Sequence, residues 1–240
     1  MRIDVPTYYL ESTKMKFDNL HSWDVTPAEA KRLQDKLRKK LIIDGDPGKI
    51  RLVGGIDVGY SRTTNKATAG VVVLTVPDMT LIETAAANRH VTFPYVPGLL
   101  AFREIPAVLS AIELLENEPD VFIVDGHGLA HPRRFGFASH LGLLLDRPTI
   151  GCAKSRLIGE YEEPGPNFGD RTVLTEGDER IGSVIRTKSS ANPIFISPGH
   201  KIGFEPAERI ILECSRGHKL PEPTRLAHRL VKRAVTKASL

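Results

Sequence analysis

Two short stretches place carboxylates where a folded chain normally avoids them. In Leu52-Val-Gly-Gly-Ile-Asp57-Val-Gly-Tyr-Ser61 an acid interrupts an apolar run, and in Val121-Phe-Ile-Val-Asp125-Gly-His-Gly-Leu-Ala-His-Pro-Arg-Arg134 a second run ends on one. Both runs have the make-up of strands buried in a sheet. Asp57 alone can be read as a strand-end acid capping a turn. A pair of such acids in one sheet is different, because unneutralised carboxylates repel and are costly to bury. A hard divalent cation between them removes both penalties, and oxygen ligands suit Mg²⁺ or Mn²⁺ better than zinc. The expectation is that Asp57 and Asp125 lie side by side and share a metal ion. The glycine-rich, basic loop after Asp125 would then adjoin a phosphate.

Other residues could join this chemistry. Lys154 directly follows the apolar run Thr149-Ile-Gly-Cys-Ala153. Its ammonium can reach the same sheet edge and serve a phosphate, or it can end a strand in solvent. His127 and His131 bring no third soft ligand at a usable spacing, so zinc is not expected. Arg133 and Arg134 read equally as phosphate contacts or solvated charges. In Pro94-Tyr95-Val96-Pro97 prolines on both sides stiffen the backbone. A tyrosine held this way can act as a wedge or a stacking platform for bases, or can fold back on the core. Taken singly, Glu104 reads as an acid in a helix first turn and His228 as a surface histidine on an amphipathic helix.

The elements that must position these groups follow from periodicity. Thr26-Pro-Ala-Glu29 predicts a capped helix start, and Ala30, Leu33, Leu37 and Leu41 extend its inward face to about residue 42. Strands are predicted over 51–59, 69–76 and about 81–92, joined by short links and therefore antiparallel. A helical stretch adjusted at Pro106 comes next, then a strand over 121–125, a helix over about 136–144 and a strand over 149–153. Two hairpin strands near 172–175 and 181–187, a short strand at 193–197 and helices over about 205–214 and 221–236 complete the chain. If strand 121–125 returns beside the first strand through a crossover helix, the two are parallel. That sets Asp57 next to Asp125 in an α/β fold, a mixed central sheet flanked by helices, the ribonuclease-H-like architecture.

Composition bounds the reading. The chain has 240 residues, 41% hydrophobic and 26% charged, as expected for one globular domain over 1–240 with its core at about 24–236. A net charge of +4 suits a polyanionic partner without requiring one. The two cysteines, Cys152 and Cys214, form no metal-binding spacing, and reduced, packed thiols are expected. No apolar run approaches the roughly 20 residues of a membrane span, and no signal peptide is evident. A cytoplasmic monomer without membrane association is expected. Residues 1–25 show no period and are expected to wrap the surface.

Taken in order, the motifs resemble the endonuclease V family of deoxyinosine-directed repair nucleases. They are Gly55-Ile-Asp-Val-Gly-Tyr-Ser61, Phe93-Pro-Tyr-Val-Pro-Gly-Leu-Leu-Ala-Phe-Arg-Glu104, Val124-Asp-Gly-His-Gly-Leu-Ala-His-Pro-Arg133 and Gly151-Cys-Ala-Lys-Ser-Arg-Leu-Ile-Gly159. Ser197-Pro-Gly-His-Lys201 and Leu220-Pro-Glu-Pro-Thr-Arg-Leu-Ala-His228 extend the match, which runs from about residue 24 to 230. The resemblance implies a catalytic set of Asp57, Glu104, Asp125, Lys154 and His228, with Asp57 and Asp125 binding Mg²⁺. It makes Pro94, Tyr95, Val96 and Pro97 the wedge that parts the strands. Leu99, Gly126, Gly128 and Leu157 are implied to line the pocket for the flipped hypoxanthine base. It further implies incision of DNA at the second phosphodiester 3′ of deoxyinosine, leaving 3′-hydroxyl and 5′-phosphate ends. Inosine-containing RNA, or other single-stranded nucleic acid, is the alternative substrate, and a non-catalytic binding module is a further one. Two positions depart from the family's usual pattern: His127, where many relatives carry a glutamine-like residue, and Pro198, where valine is common.

Overall fold

The computed structural model describes residues 15–237. The capping box forms as the sequence predicts, with Thr26 and Glu29 exchanging hydrogen bonds at the start of helix α1 (Pro27–Leu37). The helix is shorter than its apolar stripe, because the next turn, Arg38–Lys40, tightens to 3₁₀ geometry. Strands β1 (Leu52–Ser61), β2 (Lys66–Thr75) and β3 (Leu81–His90) form the expected antiparallel meander. Helix α2 (Leu100–Ile112) runs through Pro106 without a break. Strand β4 (Val121–Val124), helix α3 (Phe137–Leu145) and strand β5 (Thr149–Ala153) follow. The hairpin β6 (Arg171–Glu176) and β7 (Glu179–Ile185) comes next, then strand β8 (Ile194–His200) and helices α4 (Phe204–Glu213) and α5 (Glu222–Lys237).

All eight strands join one mixed sheet in the order β3-β2-β1-β4-β5-β8-β7-β6. Strand β4 lies parallel to β1 and to β5, as a crossover through α2 and then α3 requires. The period of two along each strand divides the core into two layers. Ile56, Phe122 and Val124 point to α2 and α3, while Val53, Val121 and Ile123 point to the layer holding α4 and Ala227 of α5. Interior strands β4 and β5 are buried at every position, which explains their unbroken apolar runs, whereas β3 is an exposed edge.

Two local features differ from expectation. Strand β8 extends beyond 197 through Pro198 and Gly199, and its register against β5 shifts between Thr149 and Ile150. The departure at Pro198 thus falls at an irregularity of the ladder. Residues 15–25 have no regular structure but cover the core, with Met15 buried and Trp23 packed against it; the remainder of the expected wrapping segment lies outside the described residues.

Candidate metal and nucleic-acid site

The register of β1 and β4 decides where the acids go. Gly55 pairs with Ile123, and the Asp125 N–H donates to the Ile56 carbonyl at 3.0 Å. Two residues past that pair, Asp57 and Asp125 occupy equivalent pleat positions at the C-terminal end of the parallel strands. Helix α5 comes down on the same face. A Cβ at Gly55 would lie 2.2 Å from the Pro223 carbonyl oxygen, so only glycine lets the start of α5 seat on β1. His228, further along that helix, then reaches Asp57, with Nδ1 2.9 Å from Oδ2. Lys154, at the end of β5, forms an ion pair with Asp125. The sequence left Lys154 open between solvent and sheet edge, and it stands at the edge.

Asp57 is only 8% exposed. Burial pushes its carboxyl above the usual range, the neighbouring Asp125 charge pushes the same way, and His228 and Lys154 only partly offset them. Glu104, from α2, is pushed up to about 7 by burial, opposed by Arg103 and reinforced by Asp57 and Asp125. It makes no hydrogen bond among the described residues. Asp57, Asp125 and His228 each offer a ligand atom, and these lie within 4.8 Å of one another. Crowded oxygen donors with residual negative charge, joined by one imidazole, are a fit for a hard divalent cation.

Beside the acids is a cavity of about 220 Å³ whose lining includes Tyr95, Leu100, Glu104, Asp125, Gly126 and Leu157. Tyr95 is 69% exposed on the loop between β3 and α2, so it does not fold back on the core. One carbonyl of this loop gathers three donors. Gly98 (φ +77°) accepts from Gln34 Nε2 at 3.0 Å, His131 Nε2 at 2.9 Å and Arg133 Nη2 at 2.9 Å. The His131 Nδ1 accepts from the Arg133 N–H at 3.2 Å, which leaves its proton on Nε2. Burial, with the Arg133 charge beside it, pushes His131 down to about 4 and keeps it neutral. His127 contacts the Ser155 carbonyl at 3.1 Å.

Two residues that the family resemblance implies for a base pocket, Leu99 and Gly128, do not line this cavity. Leu99 is fully buried among Ala30, Phe93 and Phe102, and the next residue, Leu100, faces the cavity in its place. Gly128 packs against β8, where a Cβ would lie 2.1 Å from the Pro198 carbonyl oxygen. Gly126 and Leu157 do line the cavity. Gln34 was missed, although a polar residue four places after Ala30 on an inward stripe was a usable signal.

The family model for endonuclease V matches residues 33–229. The chain belongs to the endonuclease V family. It is 50% identical over 214 residues to endonuclease V of Dehalococcoides mccartyi, covering 89% of this chain and 96% of that one. The crystal structure of endonuclease V from Streptomyces avermitilis superposes with a TM-score of 0.87 at 40% identity, covering 95% of this chain and 100% of the other. Endonuclease V of Ciona intestinalis, solved in complex with a 24mer DNA containing an inosine followed by a ribo-adenosine, gives a TM-score of 0.78 at 33% identity. The shares covered there are 88% and 98%. Endonuclease V structures have the ribonuclease-H-like fold, and the mixed sheet described above is that fold.

Proposed function

We propose that this endonuclease V-family protein is a metal-dependent endonuclease that nicks DNA at deoxyinosine, cutting the second phosphodiester on its 3′ side, with Mg²⁺ as cofactor. One observation carries the reading: two aspartates on adjacent parallel strands, with His228 and Lys154 converging on them at the rim of a cavity. Asp57 and Asp125 would hold the cation, with His228 within reach. When bound, the cation supplies positive charge against the scissile phosphate and the departing oxygen.

The chain's own groups do the rest. Lys154 sets an ammonium beside Asp125, where a phosphate oxygen can meet it. His228, with Nδ1 turned to Asp57, keeps Nε2 available to orient water. Tyr95 on its proline-stiffened loop enters the duplex beside the lesion, and the cavity behind it takes up the flipped base. A water oxygen joins phosphorus and the P–O3′ bond breaks. One water proton ends on the new 3′-hydroxyl and the other leaves as the 5′-phosphate ionises.

The unit is a monomer with its core over residues 24–236. No described helix is long and apolar enough to cross a membrane. The buried, unpaired thiols Cys152 and Cys214 suit the cytoplasm. The test is incision of end-labelled inosine strands, as DNA and as RNA, with Mg²⁺ or with EDTA. The expected result is an Mg²⁺-dependent product cut one nucleotide beyond the inosine in DNA. Cleavage no greater than that of an adenosine control would overturn the reading, and a clear preference for the RNA strand would shift the substrate class.

A further inference from the structure

Tyr95 and Glu104 also border a second cavity. It measures about 360 Å³ and is completed by Tyr60, Arg62 and Arg103, none of which lines the first. Its chemistry is cationic. The Arg103 guanidinium lies 4.1 Å from the centre of the Tyr60 ring and donates a hydrogen bond to the Phe93 carbonyl at 3.1 Å. Tyr60 is fixed in turn by its hydroxyl, 2.7 Å from Asn65 Oδ1. Arg62, exposed in the turn between β1 and β2, has neither ion pair nor hydrogen bond among the described residues. Both guanidinium groups therefore face the cavity without a carboxylate within ion-pair distance. Glu104 borders the same space and opposes an anion near itself, so the favourable end is the one formed by Arg62 and Arg103.

Place in the fold supplies the ligand. The second cavity shares Tyr95 and Glu104 with the first, which Asp125 also lines, so it adjoins the acids from the α2 side of β1, where Tyr60 meets Arg103. With the lesion base in the first cavity and the cut at Asp57 and Asp125, the adjoining guanidinium pair offers a cationic contact to the strand leaving the cut. We infer that the second cavity is a subsite for a backbone phosphate of the cleaved strand on the 3′ side of the cut, gripped by Arg62 and Arg103 beside the rigid Tyr60 ring. The subsite rests on the incision reading above. It holds the fragment that carries the new 5′-phosphate.

The experiment compares wild type with Arg62→Ala, a change at an exposed turn residue without a partner and so not a folding lesion. Single-stranded and duplex inosine substrates are used whose 3′ flank ends one nucleotide after the cut or extends by several. For wild type, kcat/KM should rise as the flank is extended, in single strands as in duplexes. Arg62→Ala should fall roughly tenfold further behind wild type on the long flank than on the short one. Its slope of log kcat/KM against log salt should be smaller by about one phosphate contact. An equal deficit at all flank lengths, or none, overturns the subsite. A deficit confined to duplexes assigns the cavity to the complementary strand and also overturns it. A wild-type protein that leaves inosine strands uncut overturns the incision reading itself, a result distinct from all of these.

Discussion

Asp57 serves two opposed demands. Its carboxyl is buried beside Asp125, and without a cation the pair weakens the fold that holds it. Asp57→Asn removes one charge and nearly keeps the shape. In metal-free buffer its thermal midpoint should rise by about 2–4 °C, equivalent to ~1 kcal/mol in a chain of this size. Incision of inosine DNA by the same variant should drop at least about 100-fold. A lower midpoint with incision retained would make Asp57 a structural residue. Two glycines of the loop after Asp125 separate packing from recognition in the same way. A Cβ at Gly126 would make only an ordinary contact, 3.4 Å from the Phe137 Cβ, at the wall of the first cavity. Gly126→Ala should fold normally and raise KM for inosine substrates about tenfold, since one extra methyl in a fitted pocket is worth that much. An unchanged KM would remove Gly126 from the base pocket. The close approach of Gly128 to the Pro198 carbonyl, by contrast, belongs to the joint between loop and β8.

Among the elements, the wedge loop depends on a helix distant in sequence. Gln34 on α1 donates to the Gly98 and Phe135 carbonyls, both at 3.0 Å, and accepts from Arg133 Nε at 2.5 Å. Gln34→Ala takes a partner from three groups at once, the buried Phe135 carbonyl among them, and should cost about 1–3 kcal/mol in chemical denaturation. The loop would remain attached through His131 and Arg133, so discrimination between inosine and adenosine strands should narrow while Mg²⁺ affinity, measured by calorimetry, stays the same. Loss of Mg²⁺ affinity with discrimination intact would contradict this. That clamp was not legible in the sequence, because its acceptor is a backbone carbonyl whose position depends on a left-handed glycine. The pairing of Asp57 with Asp125 was legible, since short links force a meander and a crossover forces parallel strands. The place of β8 between β5 and β7 was not, because every position of β8 is buried and its apolar pattern shows no exposed face to orient it. Leu99 and Leu100 could not be told apart for a related reason. Both are apolar, and the start of α2 decides which one turns inward.

At the scale of the molecule, the segment at 15–25 is tied to helix α3 through a pair of histidines. His21 Nδ1 donates to the Ser22 carbonyl at 2.7 Å, so its Nε2 accepts from His140 Nε2 at 2.6 Å. Trp23 stacks on His140 at 5.5 Å, and Phe102 and Phe135 close the cage. Burial holds both imidazoles below their ordinary value, His140 well below it, with the His21 charge adding to the effect. A depressed histidine stabilises the fold fully above about pH 6.5, and that stability is lost as pH falls toward the folded value. His131, pushed down to about 4, acts in the same window. Glu104 acts against them. Its carboxyl, raised to about 7, takes up a proton in the folded state first, so acidification from pH 7 to about 4.5 stabilises through that group. The total pH dependence is therefore a compromise, and a single variant is needed to isolate the cage. His140→Phe keeps the aromatic packing and removes the proton site. Between pH 6.5 and 5 its unfolding free energy in EDTA should fall less steeply than that of wild type, by up to about 1.4 kcal/mol per pH unit at the acid end of that range. Parallel curves for the two proteins would mean that His140 takes up its proton without unfolding the cage, and that acid sensitivity arises elsewhere in the molecule.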